Sequence, residues 1–581
     1  MELTVNKAQN QIAEIVTEAA KKAMEKGQLQ TAELNAFKTE VPADRQNGDF
    51  STNAAMVNAK ALRLPPRKIA EIFTENMELS GTYFDSVEVA GPGFINFRLG
   101  SKYYADIIFD VIAAGDSYGR SDYGQKQKIN VEFVSANPTG PMHMGNARGG
   151  ALGDCLAAVL DYAGYDVHRE FYINDAGNQI EKFGLSLDVR YKQIFLGEDA
   201  VELPEDSYHG EDIKERAKEY ADLYGDVLMS KTEEERRKAL VEFSLPKNIE
   251  NMKKAMGKYR IDYDTWFSEL TLHNGGEIKE VIDLLTERGY TYEKDGALWY
   301  KNKEVQTAMF LREGKTQEYI DKQELKDDVL IRANGNPTYF AADIAYHRNK
   351  LITRGFDKAI DVWGADHHGH VARMKGAMEA IGIDSSRLDI LLMQFVRLMR
   401  DGEVVRMSKR TGKAITLVDL LDEVPIDAVR FMFNIREPGS LMDFDLDLAV
   451  EQSSQNPVYY CQYAHARICS ILAKLESEGK KKRECTSEEL QLLNKDEEKE
   501  LIRYLSTLPE VIVNAAKNYD PAKATHYAVE LATLFHKFYN ACRVNVDDES
   551  LMQARLTLCV CVKDTMKSIL NMLKVDAPDR M

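Results

Sequence analysis

Apolar residues recur at helical spacing from the start of the chain. Ile12, Ile15, Val16, Ala19, Ala20 and Ala23 fall on one face before Gly27 ends the pattern, and this predicts an amphipathic helix. The period then changes to two: residues 86–90 and 94–99 alternate around Gly91-Pro92-Gly93, as the arms of an antiparallel hairpin do. A helix with Ser101 as N-cap follows, then a glycine-containing linker near 115–125. The first part of the chain therefore reads as a small α+β unit.

From Lys128 the pattern is different. Residues 129–134 are a β-branched and aromatic strand, 135–145 a Pro/Gly loop, 147–162 an alanine-rich helix and 166–173 a second strand. Strand, loop, helix and strand make a right-handed βαβ unit of a parallel sheet, with ligands expected where the first strand meets the helix N-terminus. Residues 198–258 are polar, helix-forming and rich in Glu and Lys, which predicts an insertion outside the sheet with a solvated face. Further strands of the sheet are expected at 296–300, 329–332, 359–363 and 391–398, the last followed by an Asp401-Gly402 turn, and the sheet ends near 440. Beyond Asn456 helical periodicity dominates, as in Leu531, Leu534, Phe535 and Phe538, so a helix bundle closes the chain.

Length and charge narrow the classes. At roughly 100–200 residues per domain, 581 residues make several folding units, and 44% apolar with 29% charged residues is ordinary for an ordered chain. Lys+Arg 75 against Asp+Glu 93 leaves −18, so contact with nucleic acid must use local basic patches. No apolar run reaches a membrane span and MELTVNKAQNQ has no signal-peptide core, which predicts no membrane partner and a cytoplasmic location. Seven scattered cysteines without a CxxC pair argue against zinc ribbons and disulfide frameworks.

Two loops carry candidate chemistry. The segment from Asn137 to Asn146 ends at a helix start, where unpaired N–H groups favour an anion; His143 and Asn146 either face that anion or cap the helix. Arg406-Met407-Ser408-Lys409-Arg410-Thr411-Gly412-Lys413 places four cations on a loop, either solvated or anion-binding. Asp366, His367, His368 and His370 have the residue types of a metal site but not its spacing, so no metal is expected there. Tyr339 and Asp343 stand at i,i+4, on one side of a helix, and Glu269 offers a second carboxylate.

Together the two loops resemble the His-x-Gly-His and Lys-Met-Ser-Lys signatures of class I aminoacyl-tRNA synthetases. Residues 131–140, 172–179, 364–369 and 456–467, with 48–56, are similar to arginyl-tRNA synthetases, a resemblance running from about residue 40 to the end. Asn146 replaces the second signature histidine and Arg406 the first lysine; Asn keeps a donor and Arg keeps the charge. The resemblance implies a multidomain α/β fold: an N-terminal α+β tRNA-binding domain (1–115), a Rossmann-like catalytic domain with insertions (116–452) and an all-α anticodon-binding bundle (453–581). It implies that ATP, with Mg2+, and L-arginine react to arginyl-adenylate, that the arginine passes to the terminal adenosine of tRNA(Arg), and that tRNA is needed even for the first step. His143, Asn146, Arg406 and Lys409 would stabilise charge on the phosphates, and Gly145, Gly364, Asp366, His370, Met407 and Ser408 would bind ATP. Glu269 and Asp343 would take the guanidinium with Tyr339 packed against it; Asn137 and Glu132 would hold the α-amino end, with His367 near the amino acid's other end. Tyr459, Tyr460, Tyr463 and Arg467 would meet tRNA, and the enzyme would be a monomer without structural metal. A non-catalytic RNA-binding paralogue is the alternative, but it has little reason to keep His143, Lys409, Asp343 and Glu269 together.

Overall fold

The opening apolar stripe forms the helix Thr4–Glu25, and its six predicted positions are buried. It packs on the helices Pro66–Asn76 and Ser101–Ala114. Beside them lies an antiparallel sheet of β1 (Thr39–Glu40), β2 (Phe50–Thr52), β3 (Phe84–Ala90) and β4 (Phe94–Leu99), ordered β1-β2-β4-β3. The predicted N-cap is displaced by one residue: Gly100 caps, and the Ser101 hydroxyl donates to Gln491 Oε1 at 3.1 Å. The expected linker is pinned rather than loose, because buried Tyr118 donates its hydroxyl to the Leu505 carbonyl at 2.9 Å. The computed structural model describes residues 3–42, 44–405 and 415–581.

The central sheet is parallel. β5 (Lys128–Glu132) leads through the helix Gly145–Tyr162 to β6 (Asp166–Ile173), which pairs with β7 (Thr265–Ser268). β7 was not legible as a strand in the sequence. All of β5 but Lys128 is buried, the near-continuous burial that a strand covered on both faces requires. Gly153 lets the helix press onto this sheet, since a Cβ there would stand 2.2 Å from the Phe133 ring.

Three expectations change. The strands anticipated at 296–300 and 329–332 leave the central sheet: β8 (Thr291–Lys294), β9 (Ala297–Tyr300) and β10 (Asp328–Ile331) form their own antiparallel sheet. After β11 (Lys358–Gly364), the single strand expected at 391–398 divides into β12 (Leu388–Met393), which completes the parallel sheet, and β13 (Val396–Arg400). β13 joins a different sheet with β14 (Glu403–Val405) and β15 (Met442–Asp445). The division is held by fully buried Arg148, whose Nη1 donates to the Gln394 and Ser440 carbonyls at 2.8 and 2.9 Å. β5 also ends two residues early, because Val134 (φ 74°) and Ser135 (φ 41°) turn into the left-handed region.

The insertion is helical as expected, but it is more than a solvated face: Phe183, Leu187, Tyr191, Ile213, Ala217 and Leu240 build a core of their own. Its longest helix, Glu233–Lys258, starts with a Thr232–Glu235 capping box. The carboxyl-terminal bundle includes the helices Pro457–Ser477, Asp496–Ser506, Leu508–Asn518, Ala522–Ala541 and Glu549–Met572. Buried Arg430 ties the last of these to the part of the chain around the parallel sheet, donating to the Leu573 and Tyr259 carbonyls (2.6 and 2.9 Å) and pairing with Asp154 at 2.5 Å. All seven cysteines are free thiols. Among the described residues no helix is long and apolar enough to cross a membrane.

Candidate active site

Strand order in the parallel sheet is β12-β11-β5-β6-β7. The chain runs outward from β5 through β6 to β7, then returns to the other side of β5 with β11. That reversal places the topological switch point between β5 and β11, where a crevice opens at the carboxyl ends of the strands. The 135–146 loop leaves β5 into this crevice, and residues 364–367 leave β11 beside it. His143 and Gly145 are exposed and Asn146 half-buried at the start of an 18-residue helix. The Gly145 N–H donates to His143 Nδ1 at 3.0 Å.

The loop is also paired across the chain. Met144 N–H donates to the Ile415 carbonyl (3.0 Å), Leu417 N–H to the Met142 carbonyl (2.8 Å), and His143 stands opposite Thr416. Residues 142–144 therefore pair with the segment that follows the second signature. Arg406, Met407, Ser408 and Lys409 themselves lie outside the described residues.

Two carboxylates stand near enough further along the edge for one to feel the other's charge. Glu269 follows β7, is 2% exposed, and is held by the Tyr172 hydroxyl and by His273 Nε2 at 3.3 Å. With its amide nitrogen turned to Glu269, Asn174 donates to Oε2 at 2.9 Å and to the Ala176 carbonyl at 3.1 Å. Asp175 accepts from the Ser268 hydroxyl (2.6 Å) and Leu270 N–H (3.1 Å), fastening the loop after β6 to the end of β7. Burial raises the Glu269 pKa, and the charge of Asp343 adds to it. Asp343 lies on the helix Tyr339–Arg348 with Tyr339 one turn before it, and the Tyr339 ring lies against Gly177.

Asp343 is oriented by a relay that the sequence did not reveal. Arg373 bonds Asp328 at 2.9 Å and donates its Nε to His370 Nδ1 at 2.9 Å. An arginine only donates, so His370 carries its proton on Nε2, which lies 3.2 Å from Asp343 Oδ2. His370, expected beside the nucleotide, is thus drawn to the carboxylate pair, where it stacks on Trp363. Asp366 and His367 remain exposed, 3.7 Å apart. For His273 the missed signal was its i,i+4 spacing from Glu269; for Arg373 there was none, because Asp328 arrives from another sheet.

Glu132, expected at the α-amino end of the arginine, is tied into the protein. Its carboxylate is buried, accepts the Ser135 hydroxyl at 2.7 Å and pairs with fully buried Lys350. Lys350 also bonds Asp361 at 2.8 Å, and His347 donates to Asp361 at 2.6 Å and to the Asp343 carbonyl at 2.7 Å. Burial raises the Glu132 pKa. Burial acts on Asp361 in the same sense, but Lys350 and His347 outweigh it and hold Asp361 at about 2. Each Glu132 oxygen thus has a partner within the protein. Asn137, by contrast, is exposed in the loop.

On the bundle, Tyr459, Tyr460, Tyr463 and Arg467 converge with His536 and Asn540 around a cavity of about 450 Å³. The Tyr459 and Tyr463 rings stack 6.3 Å apart, and Arg467 lies 4.8 Å over Tyr463. His536 has neither ring nitrogen bonded, and burial, with Arg467 nearby, lowers its pKa to about 4. Nearby, His465, Cys469 and Asp579 are the one grouping of metal-ligating types within 4.8 Å among the described residues. His465 Nδ1 there already bonds the Pro578 carbonyl at 3.0 Å.

A parallel sheet with this signature loop at its switch point, a helical insertion and a helix bundle defines a class I aminoacyl-tRNA synthetase. Residues 108–468 match the family described as tRNA synthetases class I (R), catalytic domain; residues 10–99 match the arginyl tRNA synthetase N terminal domain, and 461–581 the DALR anticodon binding domain. An arginine-tRNA ligase of Caldanaerobacter subterraneus subsp. tengcongensis is 54% identical over 581 residues, covering 100% of both chains. Another, of Acetivibrio thermocellus, is 52% identical over 577 residues, 99% of each. The solved arginyl-tRNA synthetase of Thermus thermophilus shares the fold with a TM-score of 0.68 at 21% identity, over 97% of this chain and 99% of that one. The chain belongs to the arginyl-tRNA synthetases and is an arginine-tRNA ligase. The non-catalytic alternative is not favoured.

Proposed function

We propose that Glu269 and Asp343 form the arginine pocket and that the 137–146 loop is the phosphate side of the same crevice. The observation that carries this reading is the carboxylate pair itself: two acids from different elements face one space, and among the described residues each has only a histidine as ion-pair partner. A planar guanidinium supplies the missing charge and bonds both acids at once, with Tyr339 covering its face. Asn137 holds the α-amino end, with His367 beside the carboxylate. Gly364 and Asp366 take the adenosine, and Gly145, Asn146 and His143 meet the phosphates at the helix N-terminus.

The reaction needs no protein nucleophile. An oxygen of the arginine carboxylate attacks the α-phosphorus of ATP, which enters with Mg2+ on its phosphates, and pyrophosphate leaves. The terminal adenosine's 2′-hydroxyl then attacks the adenylate carbonyl carbon, AMP leaves, and the hydroxyl proton passes to solvent. Catalysis is positioning and charge stabilisation, and Lys409 and Arg406 add cations to His143 and Asn146. We assign residues 1–115 and the Tyr459, Tyr460, Tyr463 and Arg467 surface to tRNA contact, where unstacked bases meet aromatic faces. The enzyme acts as a cytoplasmic monomer, and tRNA docked on the bundle is required for adenylate formation. The segment from Arg406 to Lys413 leads through Thr416 into the strand-like pairing with His143, which gives tRNA a short route to bias the site.

ATP–pyrophosphate exchange with each amino acid, with and without tRNA(Arg), tests this. Exchange should require arginine and tRNA together and should fail with lysine, whose point ammonium cannot satisfy two planar acceptors. Lysine-supported exchange would remove the carboxylate pair from specificity, and robust exchange without tRNA would remove tRNA as activator.

A further inference from the structure

The loop that carries Asn137 and His143 starts in a costly conformation. Val134, a β-branched residue, has φ 74° and Ser135 has φ 41°; such left-handed residues persist only where surroundings hold them. One fastening is local: the Ser135 hydroxyl donates to Glu132 and accepts the Tyr172 N–H at 3.1 Å. A second is the pairing of Met142 and Met144 with 415–417. The third comes from the insertion. Asn248, on the helix Glu233–Lys258 and 7% exposed, donates its Nδ2 to the Pro138 carbonyl at 3.0 Å. Its Oδ1 accepts Arg216 Nε at 3.0 Å, which fixes the amide orientation. Arg216 in turn donates to Glu219 at 2.9 Å, and Glu219 pairs with Lys247.

This bond joins residues 110 positions apart. Past Pro138 a cavity of about 490 Å³ opens between loop and insertion, lined by Gly140, Pro141 and Met142 on one side and Asp212, Glu215, Arg216 and Met252 on the other. Met142 is buried in the core that Met252 and Met256 of the insertion helix also join, but next to the cavity such packing is incomplete, and the directional bond at Pro138 adds a fixed position that close packing alone does not give there. Exposed Asn137 lies between the Ser135 and Pro138 fastenings, and exposed His143 lies beyond them.

We propose that Asn248 is a positioning residue of the reaction: through the Pro138 carbonyl it fixes the loop bearing Asn137 and His143, so the helical insertion belongs to the activation machinery. The proposal rests on the reading that this loop meets the substrates. Asn248→Asp keeps size and the acceptor for Arg216 but turns a lone pair toward the Pro138 oxygen where an N–H stood.

The full-length enzyme is assayed by tRNA-dependent ATP–pyrophosphate exchange, and amide hydrogen exchange is followed in residues 135–146 and in the insertion helix Asn178–Leu196. Asn248→Asp should lower turnover by about tenfold or more, since small displacements of reacting groups are costly, and speed exchange in the loop but not in the insertion helix. Arg216→Ala should give a smaller loss and Arg216→Lys, which still donates to Oδ1, should recover most of it; this pair also serves if Asn248→Asp fails to fold. Turnover within about twofold of the parent in Asn248→Asp, or in Arg216→Ala where that pair is used, would overturn the proposal. So would a loss matched by faster exchange throughout the insertion. His143→Ala separates the two ideas: parent-like turnover there defeats the loop reading itself, whereas an impaired His143→Ala beside a parent-like Asn248→Asp defeats only the role of Asn248.

Discussion

Two sets of acids lie near one edge of the parallel sheet and have opposite surroundings. Glu132 and Asp361 share fully buried Lys350, and Glu170 pairs with Arg354 and accepts the Tyr346 hydroxyl. Glu269 and Asp343 meet only histidines, amides and hydroxyls among the described residues. A buried acid matched by a protein cation is complete and serves the fold. A buried acid without one, as Glu269 is among the described residues, is the kind of group whose missing charge a ligand can bring; burial raises the pKa of Glu132 as well as Glu269, so the cation partner and not the pKa divides the two sets. Glu132, expected from the family resemblance to meet the arginine, has a lysine partner that Glu269 and Asp343 lack among the described residues.

The largest expected effect is on the matched set. Lys350→Met leaves Glu132 and Asp361 buried without a cation and should cost about 3–5 kcal/mol of stability, read as a lowered thermal or urea midpoint. A midpoint like the parent's would mean that the two acids find other partners. The unmatched pair should behave in the reverse way. Glu269→Gln and Asp343→Asn should leave the midpoint nearly unchanged and lower arginine kcat/KM. For Asp343, a side chain 35% exposed, the buried-pair figure is discounted to about 2–3 kcal/mol, or ~30–150-fold. Either variant with arginine use within about twofold of the parent would return its acid to the structural set.

Acid should divide the two sets more gently. Arginine binding needs Glu269 ionised, so arginine KM should rise as pH falls through its raised pKa, and Glu269→Gln should flatten that rise. Asp361 has the opposite sign. Its pKa falls from 3.8 to about 2 on folding, so its contribution is present above 3.8 and is lost as pH falls from there toward about 2. That contribution is on the order of 2 kcal/mol. Unfolding midpoints measured between pH 5 and 2 should show this loss in the parent and not in Asp361→Asn.

Much of this was readable in the chain. The stripe of Ile12 to Ala23 survives as a helix because its period matches the α-helix over about three turns and tertiary context had nothing to override. The loop between β5 and its helix was legible because glycine, proline and a helix start coincide. Elsewhere periodicity told strands from helices but not one sheet from another. Residues 391–398 read as one apolar run, yet the chain changes sheet at Gln394, where Arg148 from a distant helix takes the carbonyl. Asp343 and Glu269 were nameable through family resemblance and Asn174 lay within a resembling segment without a role, while their neighbours His273 and Arg373 were not singled out.

The sequence by itself determined the order of elements, the helical insertion and bundle, and the residue types able to hold an arginine and a nucleotide, because period, turn chemistry and motif spacing are local properties of the chain. The tertiary structure decided which acids meet a lysine or arginine and which meet only histidines, amides and hydroxyls among the described residues. It brings Lys350 to Glu132 across 218 residues and Asn248 to Pro138 across 110. The energy of a buried charge or amide depends on what stands within a few ångströms of it, and distance along the chain carries no record of that.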